Sequence, residues 1–263
     1  VRWFDFSPGT HPMLPFETIA FLVTGAALAG FVMGLVGFGT GLAALGFWLY
    51  VVDPVVAVPL IVICSLATTA FTLKAYRHAI SVQRLMPFFL GAVIGVPVGI
   101  WLLTGLDPAV FKLGVGLFLI VYTLFRIVVM PGMTVRLGGR LSDFAVGAGS
   151  GLLGGLAAIP APLMTVWCGL RGWNKDEQRA AYQPFNQAII LMAMIGYGYE
   201  GLLTRELGII SLYCVPASLA GMALGMMGYK RLDEAQFSRA VLSLLLLSGF
   251  MLVSLNIMEL MGI

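Results

Sequence analysis

Ser65, Thr68, Thr69 and Thr72 sit in one apolar stretch, and Gln183, Asn186 and Gln187 in another. Ser65, then Thr68 or Thr69, then Thr72 follow i, i+3/i+4, i+7 spacing, which places them on one side of a helix. The three carboxamides form a second stripe. Hydroxyls and amides donate hydrogen bonds while carrying no charge. The chemistry this suits is reversible recognition of an oxyanion. The competing reading is glue between helices, worth about 0.6 kcal/mol per bond. Amides are costlier to bury without a partner, so Asn186 and Gln187 weigh more than Ser65 and Thr68.

Two glycine-rich breaks add donors of another kind. One is Gly34-Leu35-Val36-Gly37-Phe38-Gly39-Thr40-Gly41; the other is Gly151-Leu152-Leu153-Gly154-Gly155, followed by Ile159-Pro160-Ala161-Pro162. Glycine and proline interrupt helices. A helix that restarts after such a break begins with unpaired N–H groups and a positive dipole end, which favours anions. The restarts are expected near Gly39-Thr40-Gly41 and near Pro160, since proline is favoured at a first helical position. The candidate binding residues are therefore Gly37, Gly39, Thr40, Gly41, Ser65, Thr68, Gly154, Gly155, Pro160, Asn186 and Gln187.

Other chemistry lacks its groups. No Asp, Glu, Lys or Arg falls mid-span; Glu17, Asp53, Asp143, Glu200 and Arg205 lie at span ends, and His11 and His78 lie outside the spans. Paired carboxylates, a catalytic triad or a metal cluster cannot be assembled in the membrane, so an enzyme is not expected, nor a cofactor or metal. Lys112 lies just inside a span end and is expected to snorkel to the interface. Cys64, Cys168 and Cys214 lack ligand spacing and read as small packing residues.

The elements that hold these residues are membrane helices. Ten per cent of the 263 residues are charged and 60% are hydrophobic. A globular domain carries about 25% charged residues, so this chain could not cover a soluble surface. Apolar runs cover Thr18 to Val52, Val55 to Leu73, Leu85 to Thr104, Val110 to Met130, Phe144 to Leu170, Ala180 to Tyr199, Leu207 to Met227 and Ala240 to Ile257. A crossing helix needs about 20 such residues. The first and fifth runs hold the breaks and read as hairpins of two short helices with tips inside the membrane. Irregular backbone persists there only if buried in protein or lining a cavity. The leading segment VRWFDFSPGTHPMLP lacks the order of a secretory signal. The net charge of +3 gives no case for nucleic acid.

The chain repeats itself. Gly34-Leu35-Val36-Gly37 recurs as Gly151-Leu152-Leu153-Gly154; Leu106-Asp107-Pro108-Ala109-Val110-Phe111 recurs as Leu232-Asp233-Glu234-Ala235-Gln236-Phe237. In that register Gly95 and Gly99 fall on Gly221 and Gly225, which read as packing glycines. Most Lys and Arg residues gather in four loops, around Lys74, Arg126, Arg171 and Lys230. Basic loops stay cytoplasmic. One arrangement satisfies all four: an all-α membrane bundle of two inverted repeats, each a broken hairpin segment plus three full transmembrane helices, with both termini extracytoplasmic. The divisions are 1–16 (N-terminal extracytoplasmic segment), 17–130 (first repeat), 131–143 (cytoplasmic connector) and 144–263 (second repeat). Inverted repeats with broken helices are the plan of many secondary transporters.

The first glycine-rich break, the Ser65-Leu66-Ala67-Thr68 span with its basic loop and His78, the second break with Pro160 and Pro162, and Arg179-Ala180-Ala181 together resemble the TauE/SafE (TSUP) family of sulfite and organosulfonate exporters. The resemblance covers nearly the whole chain. The family's first break is often richer in consecutive glycines; here Phe38 and Thr40 interleave. The resemblance implies a multi-pass protein of the bacterial inner membrane. Its partners would be a small anion, such as sulfite or sulfoacetate, and membrane lipid, and a homo-oligomer is compatible with it. The alternative is a membrane scaffold or insertion partner without transport activity.

Overall fold

In the computed structural model the described residues are 16–36, 39–76, 82–129, 139–173 and 175–229, with scattered positions between 242 and 254. They form nine numbered helices: α1 (Phe16–Val36), α2 (Thr40–Trp48), α3 (Pro54–Tyr76), α4 (Val82–Gly105), α5 (Pro108–Leu124), α6 (Arg140–Ala157), α7 (Ala161–Leu170), α8 (Lys175–Tyr199) and α9 (Arg205–Tyr229). A π-helical turn, Phe125–Val129, extends α5. The positions described beyond residue 241 are helical too. Four stretches are long and apolar enough to cross a membrane: Glu17–Leu35, Arg84–Gly105, Pro108–Val128 and Arg205–Met227. Their outer faces show Ile94, Trp101, Val121 and Leu212, each more than half exposed, as a lipid-facing surface does. Pro59, Pro87, Pro97, Pro184 and Pro216 lie inside helices, which membrane bundles tolerate because neighbouring groups satisfy the freed carbonyls.

Glycine sets the closest approaches. A Cβ on Gly91, Gly95 or Gly99 of α4 would strike the backbone of α6; one on Gly147, Gly151 or Gly155 of α6 would strike the backbone of α4. Gly30 and Gly34 of α1 meet α9 in the same way, and Gly221 and Gly225 of α9 meet α1. Backbones this close gain dispersion contacts that larger residues would prevent. The pairing is crossed in sequence: α1 packs along α9, and α4 along α6. α3 and α8 touch at the centre, α3 also against α9 and α8 against α4. The main pairings are kept when α1–α4 are exchanged with α6–α9.

The breaks differ from expectation in two respects. First, the second glycine-rich stretch does not break, and that interruption falls after it at Ala158-Ile159-Pro160, whereas the first falls within Gly34–Gly41, with α2 restarting at Thr40 as expected. α1 runs through Gly34 to Val36, and α6 runs through Gly151, Gly154 and Gly155 to Ala157. Close packing on α9 and α4 stabilises glycine inside these helices. Second, the arms are unequal. α1 and α6 have 21 and 18 residues, whereas α2 and α7 have 9 and 10. At 1.5 Å per residue the long arms reach about 27–32 Å and the short ones about 14–15 Å, half a bilayer core. Each short arm returns along its long arm. Trp48 Nε1 donates to the Leu22 carbonyl at 3.1 Å, and Trp167 Nε1 to Asp143 Oδ1 at 2.8 Å. Arg171 completes the second junction with an ion pair to Asp143 at 2.9 Å.

Candidate functional site

The two hairpin tips meet. Gly39 has a left-handed backbone (φ 103) and caps α2. At the second tip Ala158 is left-handed too (φ 54), which costs a non-glycine residue about 1–2 kcal/mol. Pro160 then precedes α7. A residue before proline is pushed out of the helical region, so Ile159-Pro160 is what ends α6. The Gly41 α-carbon lies against the Ala158 carbonyl so closely that no side chain fits between them.

A small cavity lies at this junction. The two tips supply Gly39, Thr40, Gly41, Ala158, Ile159, Pro160, Ala161 and Pro162; α3 supplies Ser65 and Thr69, and α8 supplies Asn186 and Ile190. Met33 and Leu42 complete the wall, so no ionisable side chain among the described residues lines it. About 20 Å³ is open to the centre of a water-sized molecule, room for one or two waters.

The donors are unequal. The first intrahelical bond of α2 runs from the Ala43 amide to the Gly39 carbonyl at 3.0 Å, so the amides of Thr40, Gly41 and Leu42 have no carbonyl within their helix. At α7 Pro160 and Pro162 have no N–H, which leaves Ala161 and Leu163 as its early donors. The first tip is therefore the richer donor. Thr69 Oγ1 donates to the Ser65 carbonyl at 2.6 Å. Neither the Ser65 hydroxyl nor the Asn186 carboxamide has a hydrogen-bond partner among the described residues.

Of the eleven candidate residues, Gly39, Thr40, Gly41, Ser65, Pro160 and Asn186 are brought together here. Thr68 is fully buried and donates to the Cys64 and Ser65 carbonyls at 3.0 and 3.1 Å, away from the wall. Thr69 takes its place, the other member of the pair that helical spacing allowed. Gly154 packs against Ile189 and Pro160, and Gly155 against α4. Gln187 is outside the wall, with its Oε1 buried and unpartnered. Gly37 lies outside the described residues. Sequence reasoning missed Ala158 altogether, because a left-handed alanine carries no signal. Lys112 is 6% exposed and does not snorkel. It shares the inward face of α5 with Val115 and Leu119.

A multi-pass helical membrane protein with a neutral polar cavity between broken helices has the plan of many secondary transporters. The chain belongs to the sulfite exporter TauE/SafE family, whose model matches residues 22–252. Members of that family are membrane transporters of sulfur anions. No curated protein and no solved structure matches this chain.

Proposed function

We propose that this protein carries sulfite, or a sulfur oxyanion of similar size, out of a bacterial cytoplasm, holding it between the two hairpin tips. The observation behind this reading is the cavity itself: two helix starts, and a hydroxyl and a carboxamide without partners among the described residues, around a space that no ionised side chain among them lines. Neutral donors suit an anion that must also leave, because a buried cation would hold it too tightly. The space must widen to seat sulfite, and would have to widen further for the carbon chain of sulfoacetate. The crossed helix pairing supports two inverted halves in one membrane, with basic loops inside and termini outside. Export from a negative cytoplasm is downhill by about 2.3 kcal/mol per charge per 100 mV, so no buried carboxylate or coupling ion is required. A scaffold would not need a polar cavity sealed at two touching tips.

Purified protein in liposomes tests the reading. Sulfite flux under an imposed potential, with sulfoacetate, thiosulfate and sulfate as competitors, should show sulfite moving fastest. No flux of any sulfur anion by folded protein would end the proposal.

A further inference from the structure

α4 and α6 run in the same direction, since Gly91, Gly95 and Gly99 meet Phe144, Ala148 and Leu152 in turn. Their starts therefore lie at one membrane surface, and a groove opens there on the outside of the bundle. It is lined by Met86, Pro87 and Leu90 of α4 and by Arg140, Leu141 and Phe144 of α6. Its volume is about 800 Å³, within the range of small-molecule sites. The lining is graded. Arg140 is the first residue of α6, and Phe144 and Leu90 lie about 6 Å further along their helices than Arg140 and Met86. Leu90 is 56% exposed, and the same outer face of α4 continues through the exposed Ile94 to Trp101. That track runs about 17 Å beyond Leu90.

Charge decides what fills the groove. Arg84 pairs with Glu177 at 3.9 Å, and Arg171 with Asp143 at 2.9 Å. Arg140 is exposed, has no ion pair or hydrogen bond among the described residues, and shares its groove with no carboxylate. The occupant is therefore negative at the rim and apolar beneath it. In a second copy of this chain the same groove would bring no acid to meet Arg140 in a twofold pairing. A phospholipid carries both parts on one molecule. We propose that this groove binds an anionic phospholipid from the leaflet at the starts of α4 and α6. The Arg140 guanidinium donates to the phosphate oxygens, a pairing its parallel N–H groups suit. One acyl chain lies against Met86, Leu90 and Phe144 and follows the outer face of α4 toward Trp101. No acid of the groove would hold the amine of a zwitterionic headgroup, so a net negative one is preferred. Basic pockets between membrane helices take anionic headgroups at the cytoplasmic surface, the side to which the basic loops assign these two helix starts. The inference needs only the membrane placement and is independent of what the cavity between the hairpin tips carries.

The test is lipid binding to delipidated full-length protein in detergent, read by native mass spectrometry. Phosphatidylglycerol and phosphatidylcholine with the same acyl chains are the probes. Wild-type protein should bind phosphatidylglycerol at least tenfold more tightly. Arg140→Gln should lose about tenfold in phosphatidylglycerol affinity, as expected for one bond to a charged group. Arg140→Lys should stay within threefold of wild type. Leu90→Trp, which narrows the groove from an exposed position, should weaken both lipids at least fivefold. Arg205→Gln removes the same charge at the start of α9 and should bind as wild type. Equal affinity of wild type for the two lipids, or unchanged affinity in folded Arg140→Gln, overturns the site. Glycerol phosphate binding as tightly as phosphatidylglycerol would make it an anion site without a lipid and overturn the proposal too. So would a dimer that Leu90→Trp dissociates while lipid binding is unchanged, because the groove would then be an interface between copies.

Discussion

Gly41→Ala is the smallest change that tests whether the two tips hold the substrate. Its new methyl would collide with the Ala158 carbonyl and lie 2.8 Å from Ile159 Cγ2. Carbon atoms prefer about 3.5–4.0 Å, so the tips must part by about 1 Å. Overpacking of this kind costs about 1–3 kcal/mol of stability. A parting of that size also takes one tip's donors out of hydrogen-bonding range of an anion seated on the other. Each bond to a charged group contributes about 1.5–3 kcal/mol, so losing one weakens sulfite binding about tenfold to hundredfold. The assay is the sulfite-dependent rise in thermal stability of detergent-solubilised protein, followed by flux in liposomes. Gly114→Ala is the control, because a Cβ there meets nothing within 4 Å. It should bind and transport as wild type. A folded Gly41→Ala protein with wild-type affinity and flux would show that the substrate does not sit between the tips.

Asn186→Ala should weaken sulfite binding by about tenfold or more, since a free carboxamide at the wall is lost; calorimetry reads it, and an unchanged constant removes Asn186 from the site. Asp143→Ala breaks the Arg171 pair and the Trp167 bond that return α7 to α6. Removing one partner of a buried pair costs about 3–5 kcal/mol, reduced here to about 1–3 by the partial exposure of both side chains. The expected result is a lower unfolding midpoint in detergent, and an unshifted one would show that the junction is not stabilising. Gly95→Leu should prevent α4 from seating on α6 and abolish assembly of monodisperse protein, as gel filtration would show, whereas Gly208→Leu, at an open position, should not.

Much of the plan could be read from residue types alone. Scarce charge defined the membrane, and the polar stripes on α3 and α8 located two of the cavity's walls. Glycine content could not separate a break from a packed helix, because that difference lies in the neighbour. Gly151 and Gly155 sit on the backbone of α4, whereas Gly39 turns the chain. Helical spacing left Thr68 and Thr69 open, and the hairpin tips decide for Thr69. Lys112 read as interfacial by its distance from the span end; the face it occupies on α5 puts it inside the bundle.

The crossed pairing of α1 with α9 also governs how the chain is made. The glycines of α1 that receive α9 are Gly30 and Gly34, and their counterparts are Gly221 and Gly225. At a synthesis rate of about 5–20 residues per second, roughly ten to forty seconds separate the emergence of the two faces. During that interval α1 stands in the bilayer with its narrow backbone groove uncovered. Closure therefore belongs to the last steps of biogenesis, and the cavity between the hairpin tips, whose wall includes Asn186 and Ile190, is complete only once α8 has been inserted.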